Sequence, residues 1–68
     1  MALSARNLLK GKVKDVKKGQ VMAEVAIEVA PGVEVVSAIT TSSVDRLGLA
    51  AGKDIEVVIK ATSVMVNA

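Results

Sequence analysis

Apolar residues recur with a period of two over residues 21–29. Val21, Ala23, Val25, Ile27 and Val29 share one parity, against Met22, Glu24, Ala26 and Glu28. That period puts one set of side chains on one face of an extended strand; an amphipathic helix needs apolar residues every three to four positions. The same alternation precedes it, with Leu9, Gly11 and Val13 set against Lys10, Lys12 and Lys14. It returns with Ile55, Val57 and Ile59 set against Glu56, Val58 and Lys60. Lys17-Lys18-Gly19-Gln20 reads as a tight turn that makes a hairpin of the first two strands. Ala30-Pro31-Gly32 is a second turn, because Pro sets φ and Gly permits positive φ. A third strand follows from about Val33 to Thr40.

The alternation stops at "TTSSVDRLGLAAG". Hydroxyls ahead of Val44-Asp45-Arg46-Leu47 predict an N-cap and a single helical turn closed by Gly48, with Ser42 and Asp45 approximating a capping box. Strands over Asp54 to Ala61 and Ser63 to Val66 complete the pattern. The expectation is one all-β domain over residues 1–68. It is read as a five-stranded barrel of the OB (oligonucleotide/oligosaccharide-binding) type, with one short helical turn between strands 3 and 4. An open five-stranded meander is the alternative.

A chain of 68 residues buries only about 60% of the surface its unfolded form exposes. With no aromatic residue and no cysteine, it has neither a large core anchor nor a covalent staple, and self-association is the remaining common remedy. Met22, Val36, Val58 and Met65 fall on or near the outward parity, as an interface would require. "MALSARN" has no apolar signal region, and Glu24 and Glu28 interrupt the most apolar stretch, so the expected location is cytoplasmic, with no membrane span.

The function classes narrow quickly. Without His or Cys, and with neither a phosphate-binding loop nor a nucleophile elbow, the chain is not read as an enzyme; it is expected to need no cofactor and no bare metal cation. Nine basic against seven acidic residues give a net charge of +2, too slight for a strong duplex-binding surface. OB barrels hold single strands by stacking bases on aromatic side chains, which this chain lacks. The row Lys10, Lys12, Lys14, Lys17, Lys18 reads either as a solvated face that resists aggregation or as a weak nucleic-acid surface.

A small anion fits better. Thr40, Thr41, Ser42 and Ser43 lie where a helix start exposes backbone N–H groups, although the same hydroxyls serve equally as caps. Lys60 interrupts the apolar run "IEVVIKATSVMV" and suits an oxyanion as a point charge, or snorkels to water from an outward position. Arg6 in "SARN" carries a planar fork suited to a tetrahedral oxyanion, and is equally at home as a surface arginine.

"SARN", "SAITTSSVDRLGL" and "VVIKAT" together resemble the molbindins, the small molybdate-binding Mop proteins. Their domain also occurs in molybdate-responsive regulators and transporter ATPases. The resemblance spans roughly Leu3 to Val66. It implies an OB-like barrel of the TOBE type in a homo-hexamer, a trimer of dimers, with molybdate or tungstate held at subunit interfaces. It also implies Ser4 and Arg6 from one subunit, facing Thr40, Ser43, Lys60 and the N–H of Ala61 from its partner. Asn7, Ser42, Lys18, Gly19 and Gln20 are further candidate oxyanion contacts. The implied role is storage or homeostasis of the oxyanion; the alternative is an OB-type module that binds protein or single-stranded nucleic acid.

Overall fold

The computed structural model describes residues 4–68. Four strands, β1 (Asn7–Lys18), β2 (Met22–Ala30), β3 (Val33–Thr40) and β4 (Asp54–Ile59), form one antiparallel sheet in the order β3-β2-β1-β4. A helix, α1 (Thr41–Leu47), joins β3 to β4. The fold is all-β, an open sheet with one short helix.

The alternation reaches the core as expected. Ala23, Val25 and Ile27 of β2 are buried with Val13 of β1, Val44 of α1 and Val57 of β4. Val35 and Ile39 of β3 and Ile55 and Ile59 of β4 pack around them. Met22, Val36 and Val58 are exposed, as their parity requires, and Met65 is exposed beyond the end of β4.

β1 is the pivot of the sheet. Its first half, Asn7 to Lys12, pairs with β4, and its second half, Lys12 to Lys18, pairs with β2. A bulge falls between Val13 and Asp15, leaving Lys14 as the extra residue. A bulge bends the strand and shifts its parity by one, so Val13 and Val16 both turn inward despite their odd spacing. Simple period-two reading of this strand therefore fails beyond Lys14. The ladder with the β4 side runs on past the strand, through Val13 N–H to Lys53 O (2.9 Å) and Gly52 N–H to Val13 O (2.8 Å).

The helix starts earlier and is longer than the single turn expected. Thr40, not Ser42, is the N-cap: its Oγ1 accepts from the N–H of Ser43 at 3.1 Å. Asp45 plays no capping part and pairs instead with Lys18 Nζ at 2.6 Å. At the other end Gly48 sits in the left-handed region (φ 64), where its N–H reaches Asp45 O and the N–H of Leu49 reaches Val44 O. Those two bonds make a Schellman closure, and Lys53 Nζ adds a bond to Leu47 O at 2.6 Å. Removing the N-cap hydroxyl by Thr40→Ala is expected to cost about 1 kcal/mol, read as a lower urea midpoint at fixed protein concentration. An unchanged midpoint would show that the helix start does not depend on that hydroxyl.

The expected fifth strand is not part of this sheet. β4 ends at Ile59, a 3-10 turn η1 occupies Ala61–Ser63, and Val64, Met65 and Val66 lie off the sheet, exposed. The five-stranded barrel and the five-stranded meander are both corrected to four strands among the described residues. A 3-10 turn immediately after β4 carries the chain away from the ladder before Ser63 is reached.

Candidate functional site

Register brings the two ends of the sequence together. Asn7 opens β1 opposite Ile59, the last residue of β4, and its Nδ2 donates to Ile59 O at 3.2 Å. Arg6 and Lys60 therefore flank one terminal rung of the ladder, with Ser4 two residues before Arg6. Both cations are exposed, and neither forms an ion pair with any described residue. The last two rungs, Leu8–Val58 and Asn7–Ile59, carry no carboxylate; the nearest acidic rung is Lys10–Glu56. Lys60 caps η1 through its carbonyl, which accepts from Ser63 N–H at 2.9 Å. Ala61 opens that turn, so its own N–H has no acceptor within the turn.

A second group forms at the start of α1. Thr40 Oγ1 donates to Ser43 Oγ at 2.7 Å and lies 3.3 Å from Ser42 Oγ. Thr41 is tied to the β1–β2 turn twice, by its N–H to Val21 O and its Oγ1 to Gly19 O, both 2.8 Å. This docking sets Lys18 and Gly19 beside the hydroxyl segment, and no hydrogen bond among the described residues ties Gln20 to it. Of the first three N–H groups of the helix, those of Thr41 and Ser43 are satisfied, and that of Ser42 has no partner among the described residues. In the single chain the capping reading of Thr40 and Ser43 is thus realised, and Lys18 is occupied by Asp45.

Arg46 escaped the sequence reading. Its Nη2 lies 3.5 Å from Ser43 Oγ, three residues away on the same helix face. The i, i+3 spacing of Ser43 and Arg46 within "SSVDR" was the available signal.

No described hydrogen bond or ion pair links the two groups. Ser4, Arg6, Asn7, Lys60 and Ala61 gather at one ladder end, while Thr40, Ser42, Ser43, Lys18 and Gly19 gather around the helix start. The lysine row is largely accounted for by pairing: Lys12 meets Asp54 at 3.0 Å, Lys14 meets Glu28 at 3.7 Å and Lys18 meets Asp45. Lys14 also offsets Glu28, which stands directly opposite Glu34 across β2 and β3. Only Lys10 and Lys17 of the row lack an acidic partner among the described residues, which leaves little charge for a nucleic-acid backbone.

A small all-β domain with cations and hydroxyls gathered at element ends is the class that this fold and these groups define. Comparison with known proteins gives the family. The TOBE domain family matches residues 3–66. Molybdenum-pterin-binding protein 3 of Clostridium pasteurianum is 52% identical over the full length of both chains. A molybdate binding protein from Sporomusa ovata superposes with a TM-score of 0.93 at 40% identity, again over the whole of both chains. MopII from Clostridium pasteurianum superposes at 0.90 with 48% identity, covering 98% of this chain and all of the other. The chain belongs to the TOBE domain family, among its small molbindin (Mop) members.

Proposed function

We propose that the protein binds molybdate or tungstate reversibly and serves in storage or homeostasis of the oxyanion inside the cell. The observation that supports this reading is that Arg6 and Lys60 are both exposed, form no ion pair with any described residue and lie beside ladder rungs without a carboxylate, so that each is free to meet an anion that a second copy completes. A dianion leaving water needs charged donors close by and no competing negative charge. Arg6, Lys60, the Ser4 hydroxyl and the Ala61 N–H meet that requirement. Two of these relatives are named for binding molybdenum-pterin and molybdate. A pterin ring, by contrast, would find no aromatic side chain to stack on anywhere in this chain.

The site is completed by a second copy. Ser4 and Arg6 come from one subunit, and Thr40, Ser43, Lys60 and the Ala61 N–H come from its partner, within a hexamer built as a trimer of dimers. Two observations support self-assembly. Neither group within one chain supplies all six residues through any contact seen here. The chain also exposes 5280 Å², roughly 30% more than the surface expected of a folded monomer of its size.

Isothermal titration of the oligomer with molybdate, with sulfate and phosphate as competitors, tests the reading. Saturable binding that survives excess sulfate is the expected result, because sulfate has the same charge in a smaller shell. Failure to bind molybdate by a protein of confirmed oligomeric mass would defeat it.

A further inference from the structure

The hydroxyls of "TTSS" are not equivalent as donors to an anion. Each carries one proton and two lone pairs, so every contact that it makes can be assigned. Thr41 Oγ1 donates its proton to Gly19 O at 2.8 Å. Thr40 Oγ1 donates its proton to Ser43 Oγ at 2.7 Å and accepts from the N–H of Ser43 at 3.1 Å. Thr40 therefore has no proton left for Ser42 Oγ, 3.3 Å away, and that contact runs from Ser42 to Thr40. Of this run, Ser43 alone keeps a proton with no acceptor among the described residues. Both of its lone pairs are engaged, by Thr40 Oγ1 and by Arg46 Nη2 at 3.5 Å. Arg46 is exposed and forms no ion pair with a described residue, while Asp45, the acidic residue of α1, is held by Lys18 at 2.6 Å.

We propose that Arg46 and Thr40 are positioning residues that make Ser43 a donor-only contact, so that the site prefers fully deprotonated tetrahedral oxyanions over hydrogenphosphate. The inference rests on the oxyanion reading above and deepens it to a specificity. Every oxygen of molybdate is free of protons and can accept from Ser43. Hydrogenphosphate carries one P–OH group, whose proton needs an acceptor once water is excluded. On this side of the site it finds none. Ser43 has no lone pair to offer, and Lys60, Arg46 and the Ala61 N–H are donors only. Accepting from a cation also polarises the Ser43 hydroxyl and strengthens it as a donor. The Ser4 hydroxyl of the other subunit can still accept, so the discrimination is graded, roughly tenfold from this contact. Sulfate has no proton either, and its rejection is left to the size of its shell.

The test compares ratios of affinities, which cancel the charge that a variant removes. Molybdate, sulfate and phosphate are titrated calorimetrically in mildly alkaline buffer, where all three carry two charges, on oligomer of confirmed mass. Arg46→Ala frees a lone pair on Ser43. It is expected to lower molybdate affinity and to narrow the molybdate-to-phosphate ratio about tenfold, with the molybdate-to-sulfate ratio unchanged because neither of those anions has a proton. Thr40→Val should narrow the same ratio, and Thr40→Ser, which keeps the donor, should retain it. An unchanged phosphate ratio in Arg46→Ala overturns the proposal, and with a lowered urea midpoint it would leave Arg46 as a support of the helix alone. Equal narrowing of both ratios also overturns it, as a general loosening of the site. A parent protein that binds molybdate and phosphate equally well defeats this specificity and leaves the oxyanion reading standing. A parent protein that binds no molybdate defeats both.

Discussion

Replacing Arg6 with alanine is expected to weaken molybdate binding by roughly 10- to 100-fold, the equivalent of losing a charge-assisted hydrogen bond of about 1.5–3 kcal/mol. Assembly should be retained, because Arg6 is exposed and pairs with no described residue. Lys60→Gln should fall in the same range, since it removes the second cation of the proposed site while keeping a donor. Lys10→Ala is the matched control: it removes an equal charge from β1 opposite Glu56 and should leave affinity nearly unchanged. Titration calorimetry on all three at one salt concentration separates a local site from a general cationic surface. Equal losses in all three would point to long-range charge alone and take Arg6 out of the site. An undiminished affinity in Arg6→Ala would do the same.

Gly11→Ala is expected to be the most destabilising single methyl in the strands. A Cβ at Gly11 would stand 2.7 Å from Ile27 Cγ2, 2.9 Å from the carbonyl oxygen of Glu28 and 3.2 Å from Val29 Cγ1. The Ile27 side chain is buried and the carbonyl belongs to the backbone, so neither yields without moving the sheet. Overpacking of this kind costs about 1–3 kcal/mol. The close approach arises where β1 leaves the side of β2 for that of β4, so the strain would fall on the pivot of the fold. Urea unfolding at matched protein concentration should show a clear drop in midpoint with little change in slope. A midpoint equal to that of the parent would mean that β1 and β2 have room to separate at that point.

The strands were readable because each has one buried and one exposed face. Ala23, Val25 and Ile27 of β2, and Ile55, Val57 and Ile59 of β4, turn inward as the period-two pattern requires. Reading failed where local geometry breaks the period. The bulge at Lys14 shifts the parity of β1, and no residue type announces it. The hydroxyl run "TTSS" offers four possible caps, and the choice of Thr40 follows from the docking of Thr41 on Val21 and Gly19 across the sheet. The segment from Ser63 to Val66 has the composition of a strand and no partner strand among the described residues, which a pattern of residues along one chain does not reveal.

The candidate site divides in the same way. The residue types that the proposed oxyanion site would use, Arg, Lys and hydroxyls, stand out against an apolar background. Their arrangement does not. That Arg6 and Lys60 flank the same terminal rung is a matter of register between strands more than forty residues apart in sequence. That Lys18 is held by Asp45, and that Arg46 stands beside Ser43, depends on how α1 docks against the β1–β2 turn.

The sequence by itself determined an all-β chain, the turns and the helix site, because alternation and Gly and Pro placement are local properties. Only the tertiary structure decided which ends meet, which lysines are neutralised and that the sheet has four strands among the described residues. Each of these depends on contacts between residues distant in sequence, and the free energy of such contacts is set by packing and register, which no short stretch of chain contains.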